Sequence, residues 1–155
     1  MYTFIDVCYK NNTELALKLI EHGVELDLQD DTRTTTLMYS CINYNTELAL
    51  KLIESKANLD LQNKYGGTAL MFSCWNNITD IALKLIENKA NLDFQDKNGW
   101  TALMESCSNN NTNIALKLIE NKANIDIQDN FGWNALTRSC DTNNIEIVSF
   151  LLENL

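Results

Sequence analysis

A six-residue block recurs along this chain at a fixed step of 33 residues. The block Ala-Leu-Lys-Leu-Ile-Glu begins at Ala16, Ala49, Ala82 and Ala115, and a degraded copy follows at the same step over residues 148–153. Self-similarity at a period of this size is typical of proteins that stack one structural unit, because each unit buries its apolar face only against its neighbours. The sequence therefore predicts a single array of about five repeats.

The same step sets the borders of the repeats. The predicted units are residues 1–29, 30–62, 63–95, 96–128 and 129–155; the first lacks the turn that opens the others, and the last is truncated. Each complete unit reads as a polar turn, a short helix, a break, a longer helix and a connector. On the longer helix, apolar residues such as Leu15, Leu19 and Ile20 leave only a narrow polar edge, which indicates burial on more than one side.

Turn and cap residues recur at the expected places. Three turns begin with Asn or Asp and end with Gly, at residues 63–66, 96–99 and 129–132, as turn chemistry prefers, whereas Arg33 replaces that Gly in the second unit. We expect N-caps on the first helices at Thr35, Thr68, Thr101 and Asn134. We expect N-caps on the second helices at Thr13, Thr46, Thr79 and Thr112.

Two further positions in each unit are predicted to adopt the left-handed backbone conformation. The break between the helices holds Asn11, Asn77, Asn110 and Asn143, with Tyr44 as the exception, and Asn tolerates this conformation best after Gly. At the end of the second helix, the place of Gly23 in the first unit is taken by Lys56, Lys89 and Lys122. A left-handed lysine costs roughly 1–2 kcal/mol.

Taken together, these residues resemble the ankyrin repeat over nearly the whole chain. In one unit the matching positions are Asp96, Gly99, Thr101, Leu103, Ile114, Leu118, Ile119, Ala123 and Asn124. The resemblance implies an all-α solenoid of helix-turn-helix units joined by β-hairpin-like turns. The family's usual Pro is missing, and its His is replaced by Met38, Met71, Met104 and Thr137. We expect these departures to affect stability more than fold.

The charge and the apolar pattern argue against several classes of partner. The formal net charge is −9, and no cluster of Lys and Arg is present to neutralise phosphates, so we expect no nucleic-acid binding and no membrane binding. There is no apolar run of 18 residues, and residues 1–20 lack the layout of a signal peptide. An odd number of cysteines favours a reducing compartment. We therefore expect a cytoplasmic location, or the host cytoplasm if the source is a virus or an intracellular bacterium.

The five cysteines keep the step of the repeat, at Cys8, Cys41, Cys74, Cys107 and Cys140. Metal-binding thiols come in close pairs, and the single histidine, His22, is out of step with them. Stacked helices lie about 8–10 Å apart, too far for a disulfide. Four of the cysteines follow a serine, as expected where helices pack closely, so we interpret them as packing residues and expect no metal and no cofactor.

Catalysis is not expected either. A single histidine offers no base for a serine or cysteine nucleophile, and no Gly-rich phosphate loop is present. Paired acids recur in the hairpin region, at Asp27/Asp30, Asp93/Asp96 and Asp126/Asp129. Because they recur at one structural position, turn capping is a simpler explanation than an active site or a calcium loop. The sequence predicts a protein that is not an enzyme.

The resemblance implies that a partner contacts the turn tips and the exposed side of the first helices, which line a concave face. The large side chains predicted there are Tyr9, Ile42, Tyr65, Trp75, Trp100, Phe131 and Trp133, with Lys97 in the polar rim. Such aromatics are typical of binding hot spots, so we predict a non-catalytic module that binds a partner protein through this face. Alternatively, the aromatics lean on the turn of the neighbouring repeat.

A second alternative is that the protein associates with itself. The first unit has no covering turn, and the last helix ends with the apolar residues Phe150, Leu151, Leu152 and Leu155. Terminal repeats normally need polar outer faces, so these ends are predicted to pair weakly with another copy or to belong to a longer ankyrin array.

Overall fold

Helix pairs in the expected order make up the part of the chain that can be described, residues 3–154 of a computed structural model. Within that range there are ten helices and no strands. The first helices of the pairs are α1 (Phe4–Tyr9), α3 (Thr36–Ile42), α5 (Ala69–Trp75), α7 (Ala102–Ser108) and α9 (Ala135–Asp141). The second helices are α2 (Thr13–Glu21), α4 (Thr46–Glu54), α6 (Thr79–Glu87), α8 (Thr112–Glu120) and α10 (Ile145–Glu153). The predicted all-α solenoid is confirmed.

The pairs stack like on like. Each first helix packs on the first helix of the next pair, each second helix packs on the next second helix, and the two helices of a pair pack on each other. The core is therefore continuous along the array, and equivalent leucines such as Leu37, Leu70 and Leu103 are fully buried in it. None of the helices in the described range is both long and apolar enough to cross a membrane.

The predicted caps are correct on the first helices and wrong on the second. The hydroxyl of Thr35 accepts a hydrogen bond from the Met38 amide at 3.2 Å, and its equivalents act in the same way. On the second helices the threonine is already helical, and the preceding Asn is the capping residue where a side-chain cap forms, as Asn45 does for the Leu48 amide at 3.0 Å. The threonine hydroxyl has another role, because Asn45 of the next repeat donates to Thr13 Oγ1 at 2.6 Å.

Both sets of predicted left-handed residues are confirmed. The four Asn residues and the Tyr residue in the helix–helix breaks have φ between 54° and 60°. The lysines at the ends of the second helices have φ of 68° at Lys56, 66° at Lys89 and 68° at Lys122, and Arg33 has φ of 59° in its turn. These nine non-glycine positions carry local strain that the packing of the array offsets.

The turns that open the repeats are hairpin-like and stack on one another. In the fourth repeat, Asp96 N donates to Trp100 O at 2.9 Å, and Lys97 N donates to Tyr65 O of the preceding turn at 2.9 Å. Gly66 has φ of +82°, and a Cβ built there would lie 2.7 Å from the Cα of Asp96. Glycine is thus required at Gly66 both by its own conformation and by the neighbouring turn.

Side-chain amides connect each repeat to the next. Gln62 Nε2 donates to Gly66 O in its own turn at 2.8 Å and to Gln95 O of the next repeat at 3.2 Å. Asn76 Nδ2 donates to Cys41 O of the preceding repeat at 3.2 Å. Such bonds between repeats, which we call the inter-repeat amide bonds, give backbone carbonyls of one repeat a donor from the next.

The cysteines are packing residues in four of five cases. Cys8, Cys41, Cys74 and Cys107 are completely buried, whereas Cys140 is exposed. Burial raises the pKa of the thiols of Cys8, Cys41 and Cys74 to about 12 and that of Cys107 to about 11. Cys140 lies on α9, which is the last of the first helices in the described range, so no further first helix covers it.

Candidate partner-binding face

One side of the array is formed jointly by the turn tips and the first helices. A cavity of about 160 Å³ on this side, the central cavity, is lined by turn residues of two repeats and by helices α5 and α7. Because turn and helix residues share its walls, they belong to one continuous surface, which we call the turn–helix face.

The structure leaves most of the predicted binding residues accessible. Trp75 is 63% exposed, Tyr65 57% and Phe131 81%, and Tyr9 is similarly accessible. Ile42, Trp133 and Lys97 are also exposed, whereas Trp100 is half-buried. The structure groups these side chains into separate clusters on the face.

Tyr65 and Trp75 come together at the central cavity. Its walls are formed by Asn63, Tyr65, Gly67, Met71, Phe72, Trp75, Asp96 and Glu105. Trp75 projects from the end of α5, and Tyr65 lies at the tip of the turn that precedes that helix. The ammonium groups of Lys64 and Lys97 lie 5.0 and 5.9 Å from the centre of the Tyr65 ring, so the outer rim at the tip is basic.

Glu105, on α7, is the one carboxylate buried in the wall of the central cavity. The residue is 7% exposed, and its Oε2 atom has no hydrogen-bond partner among the described residues. Burial raises the pKa of the Glu105 carboxyl to about 7 from an ordinary 4.5; the charge of Asp96 raises it further and that of Arg138 opposes the rise. A charged group held without a partner is costly, and such sites are frequently functional.

Comparison with the equivalent residues of the other repeats shows what Glu105 lacks. In the second repeat, Tyr39 donates from its hydroxyl to Asp30 Oδ2 at 2.5 Å. In the fifth repeat, Arg138 forms an ion pair with Asp129. In each of these repeats the first helix supplies a donor to the acid that opens its own turn. In the fourth repeat Glu105 takes the place of that donor, so two acids, Glu105 and Asp96, line the same cavity.

Arg138 organises a second cluster, at the turns of the fourth and fifth repeats. Its guanidinium carbon lies 4.0 Å from the ring centre of Trp100 and 4.6 Å from that of Trp133, so the two indoles sandwich it. A cavity of about 330 Å³, the turn cavity, is lined by these three residues together with Asn98 and Phe131. Trp100 thus contacts the neighbouring repeat through Arg138, which is the alternative role considered for aromatics at the turn tips, whereas Trp133 contacts Arg138 within its own repeat.

The buried end of Arg138 stabilises the turn below it. Burial alone would raise the pKa of Asp129, but hydrogen bonds from the Trp133 amide, Arg138 and the Phe131 amide outweigh it and hold that pKa below its usual range. The packing of Arg138 between Trp100 and Trp133 therefore stabilises the turn, and one edge of this cluster is exposed.

Tyr9 and Ile42 lie apart from both cavities. The Tyr9 ring packs edge-on against Tyr39, with 5.3 Å between ring centres and 75° between planes. Ile42 is at the end of α3 and is 37% exposed. The linings of the two cavities include neither residue.

Two important residues, Glu105 and Arg138, were not among the predicted binding residues. A signal for them exists in the sequence: residues 39, 72, 105 and 138 occupy one position of the repeat and read Tyr, Phe, Glu and Arg. The chemistry at this position changes strongly from repeat to repeat, yet the pattern alone does not reveal that Glu105 is buried.

Comparisons with known proteins agree with this architecture. A family model described as "Ankyrin repeats (3 copies)" matches residues 4–96 and again 79–155. A comparison with curated proteins gave no match. The two family matches together extend over almost the whole chain and over all ten helices of the described range. The chain therefore belongs to the ankyrin-repeat family, whose members are generally protein–protein interaction modules.

Proposed function

We propose that this chain is a non-catalytic binding module that holds a partner protein on its turn–helix face. The observation that carries the proposal is the exposure of Tyr65, Trp75 and Phe131 on that one face. Large exposed aromatic side chains around concave sites are typical of protein interfaces, where they supply most of the binding energy. The five unpaired thiols favour a reducing compartment such as the cytoplasm as the place of binding.

A rigid array also suits this role. The turns are linked by backbone hydrogen bonds between repeats, and the side-chain amides add further links. A surface that is ordered before binding loses little conformational entropy on association, so more of the contact energy contributes to affinity.

The test uses the most exposed aromatics, because their removal leaves the core intact. Proteins recovered from lysate of the source cell, or of its host, would be quantified for the wild type, for Trp75→Ala with Phe131→Ala, and for Leu15→Ala. Leu15 is a matched control, since it is an exposed apolar residue on a second helix. Each buried ring contributes about 2 kcal/mol or more at a hot spot, which corresponds to more than about tenfold in affinity.

We expect the aromatic variant to recover at least about tenfold less of one defined protein than the wild type does, and the Leu15→Ala control to recover as much as the wild type. Equal recovery by all three forms, each with unchanged circular dichroism, would mean that a partner uses another face. Trp100 and Trp133 are less suitable for this test, because their removal would release Arg138 and alter stability.

Self-association is a second candidate because the last helix exposes apolar side chains. On α10, Ile145 is 74% exposed and Leu152 54% exposed, whereas Leu151 is buried and Phe150 half-buried. Leu155, the fourth residue of that prediction, lies outside the described residues. Sedimentation at several concentrations tests for self-association. If the wild type forms a dimer, the double variant Ile145→Asn, Leu152→Gln should be monomeric. A wild type that is monomeric at every concentration would rule out this candidate.

A further inference from the structure

The central cavity combines an unpartnered acid with aromatic walls. Glu105 Oε2 is buried and accepts no hydrogen bond from the described residues, although Glu105 lines an open cavity rather than a closed core. Buried polar atoms in proteins are nearly always paired, so an exception that borders a cavity indicates a missing partner.

The charges around the cavity define what that partner must supply. Asp96 adds negative potential, but its Oδ1 already accepts from the amides of Asn98 and Trp100, both at 2.8 Å. Arg138 is a cation close enough to lower the pKa of Glu105, but its Nη2 is ion-paired with Asp129, and its buried Nε has no hydrogen-bond partner among the described residues. No hydrogen bond joins Glu105 Oε2 to Arg138 Nε, so Oε2 is left as an unpaired acceptor with one acid and one cation nearby.

The other walls favour a particular kind of cation. Trp75, Phe72 and Tyr65 present aromatic rings, whose negative faces attract organic cations, and Met71 adds apolar surface. A small hydrated metal ion would need several oxygen or nitrogen ligands, and the described residues contain no group of three or more acids, histidines and cysteines suited to one. A cation on an apolar stem satisfies both the rings and the carboxylate.

We propose that the central cavity accepts the cationic side chain of a lysine or arginine from the partner protein, with Glu105 as its counter-ion and Trp75 as its principal wall. This inference rests on the proposed function and assigns a chemistry to one point of the interface. The net charge of −9 is complementary to a partner with a basic segment.

The chain's own lysines do not fill this role. Lys64 and Lys97 are exposed and lie over the Tyr65 ring, and neither forms an ion pair with Glu105 within residues 3–154. They form the outer rim, where they would meet solvent or acidic groups of the partner, whereas Glu105 lies deeper.

The experiment uses small probes and needs no knowledge of the partner. Butylguanidinium and butylammonium represent the ends of arginine and lysine, and butylurea is a neutral analogue with the shape of the guanidinium. Each would be titrated into the full chain while the indole N–H signals of the tryptophans are followed by NMR. Glu105→Gln removes the charge and keeps the shape, and the exposed Glu120→Gln is its matched control.

We expect at least one cation to shift the Trp75 signal saturably, and butylurea to bind at least about tenfold more weakly. The Glu105→Gln variant should lose this preference, whereas Glu120→Gln should keep it. The relative affinity of the two cations distinguishes an arginine from a lysine anchor. Equal binding of butylurea, a preference that survives Glu105→Gln, or shifts confined to Trp100 and Trp133 would each overturn the proposal.

This result can be separated from the test of the proposed function. If the aromatic variant loses its protein but the probes show no preference for cations, the binding face stands and the cationic anchor is wrong. If the probes bind as expected but recovery of proteins is the same in all variants, the cavity binds cations and the proposed function is wrong.

Discussion

Replacing Glu105 by Gln should make the protein more stable at neutral and alkaline pH. Burial, aided by the charge of Asp96, raises the pKa of this carboxyl to about 7, against an ordinary value of 4.5. Each pKa unit corresponds to about 1.4 kcal/mol, so the ionised carboxylate costs the folded state about 3 kcal/mol. Gln carries no charge, but its buried amide also lacks a partner, which leaves an expected gain of about 2 kcal/mol.

The sign of the pH dependence follows from which state holds the proton. Between pH values of about 4.5 and 7 the folded protein keeps the Glu105 proton while the unfolded chain has lost it, so the free energy of unfolding of the wild type falls as pH rises. The Glu105→Gln variant lacks this decline. The variant should therefore be less stable than the wild type by about 1 kcal/mol below about pH 4.5, because of its unpaired amide; it should improve relative to the wild type through the interval and be more stable by about 2 kcal/mol above about pH 7.

Urea unfolding followed by far-UV circular dichroism measures this difference directly. Runs at about pH 4.5, 6 and 8 would sample both plateaus and the interval. Other groups titrate equally in both proteins and cancel in the difference. The control Glu54→Gln, an exposed residue of α4, should differ from the wild type by less than about 0.5 kcal/mol throughout. A Glu105→Gln variant that is less stable at pH 8, or equally shifted at every pH, would refute the burial of an unpaired carboxylate.

Three further predictions concern the scaffold. In the same urea assay, Gly66→Ala should destabilise the protein by at least about 1 kcal/mol more than Gly132→Ala does. Both residues have positive φ, but of the two only Gly66 has a neighbouring turn within 4 Å of its Cβ position. Equal losses of stability would contradict this prediction. Thiol labelling of the native protein should modify Cys140 rapidly and the four buried, largely un-ionised cysteines only on unfolding, whereas fast labelling of Cys74 would exclude its packing role. Replacing Lys56, Lys89 and Lys122 together by Gly should raise the melting temperature, because Gly carries no penalty in the left-handed conformation. A lower melting temperature would count against the assigned strain.

The repeat, the helices and the left-handed residues could be predicted because they depend on local chemistry repeated five times. An Asn in the break between helices, or a Gly at the end of a turn, has the same physical reason in every unit. The caps of the second helices were predicted wrongly because two candidates stand side by side. Asn45 and Thr46 can both cap a helix, and the choice depends on the preceding repeat, where Asn45 also donates to Thr13.

The candidate site was only partly predictable. Exposure of Trp75 and Phe131 follows from their register on the repeat, but the sandwich of Arg138 between two indoles depends on side-chain directions that no pattern specifies. Glu105 is harder still, because a glutamate on a short helix is normally solvated. Glu105 instead lies in the wall of a cavity that it shares with Phe72 and Trp75 of the preceding repeat.

The hydrogen bonds that join side chains of one repeat to the backbone of the next imply that the length of this protein is not fixed by its core. Those bonds join residues that are 31 to 37 positions apart, so each connects only adjacent units. The acid of each connector is replaced by an identical one in the next unit, as with Asp60 and Asp93, which receive the amides of Asn91 and Asn124 at the same distance of 2.8 Å. Excision of residues 63–95 would bring Asn124 opposite Asp60 and restore the same bond. Such a chain can gain or lose whole units as a polymer gains or loses monomers, and its binding surface can change by recombination without a redesign of the fold.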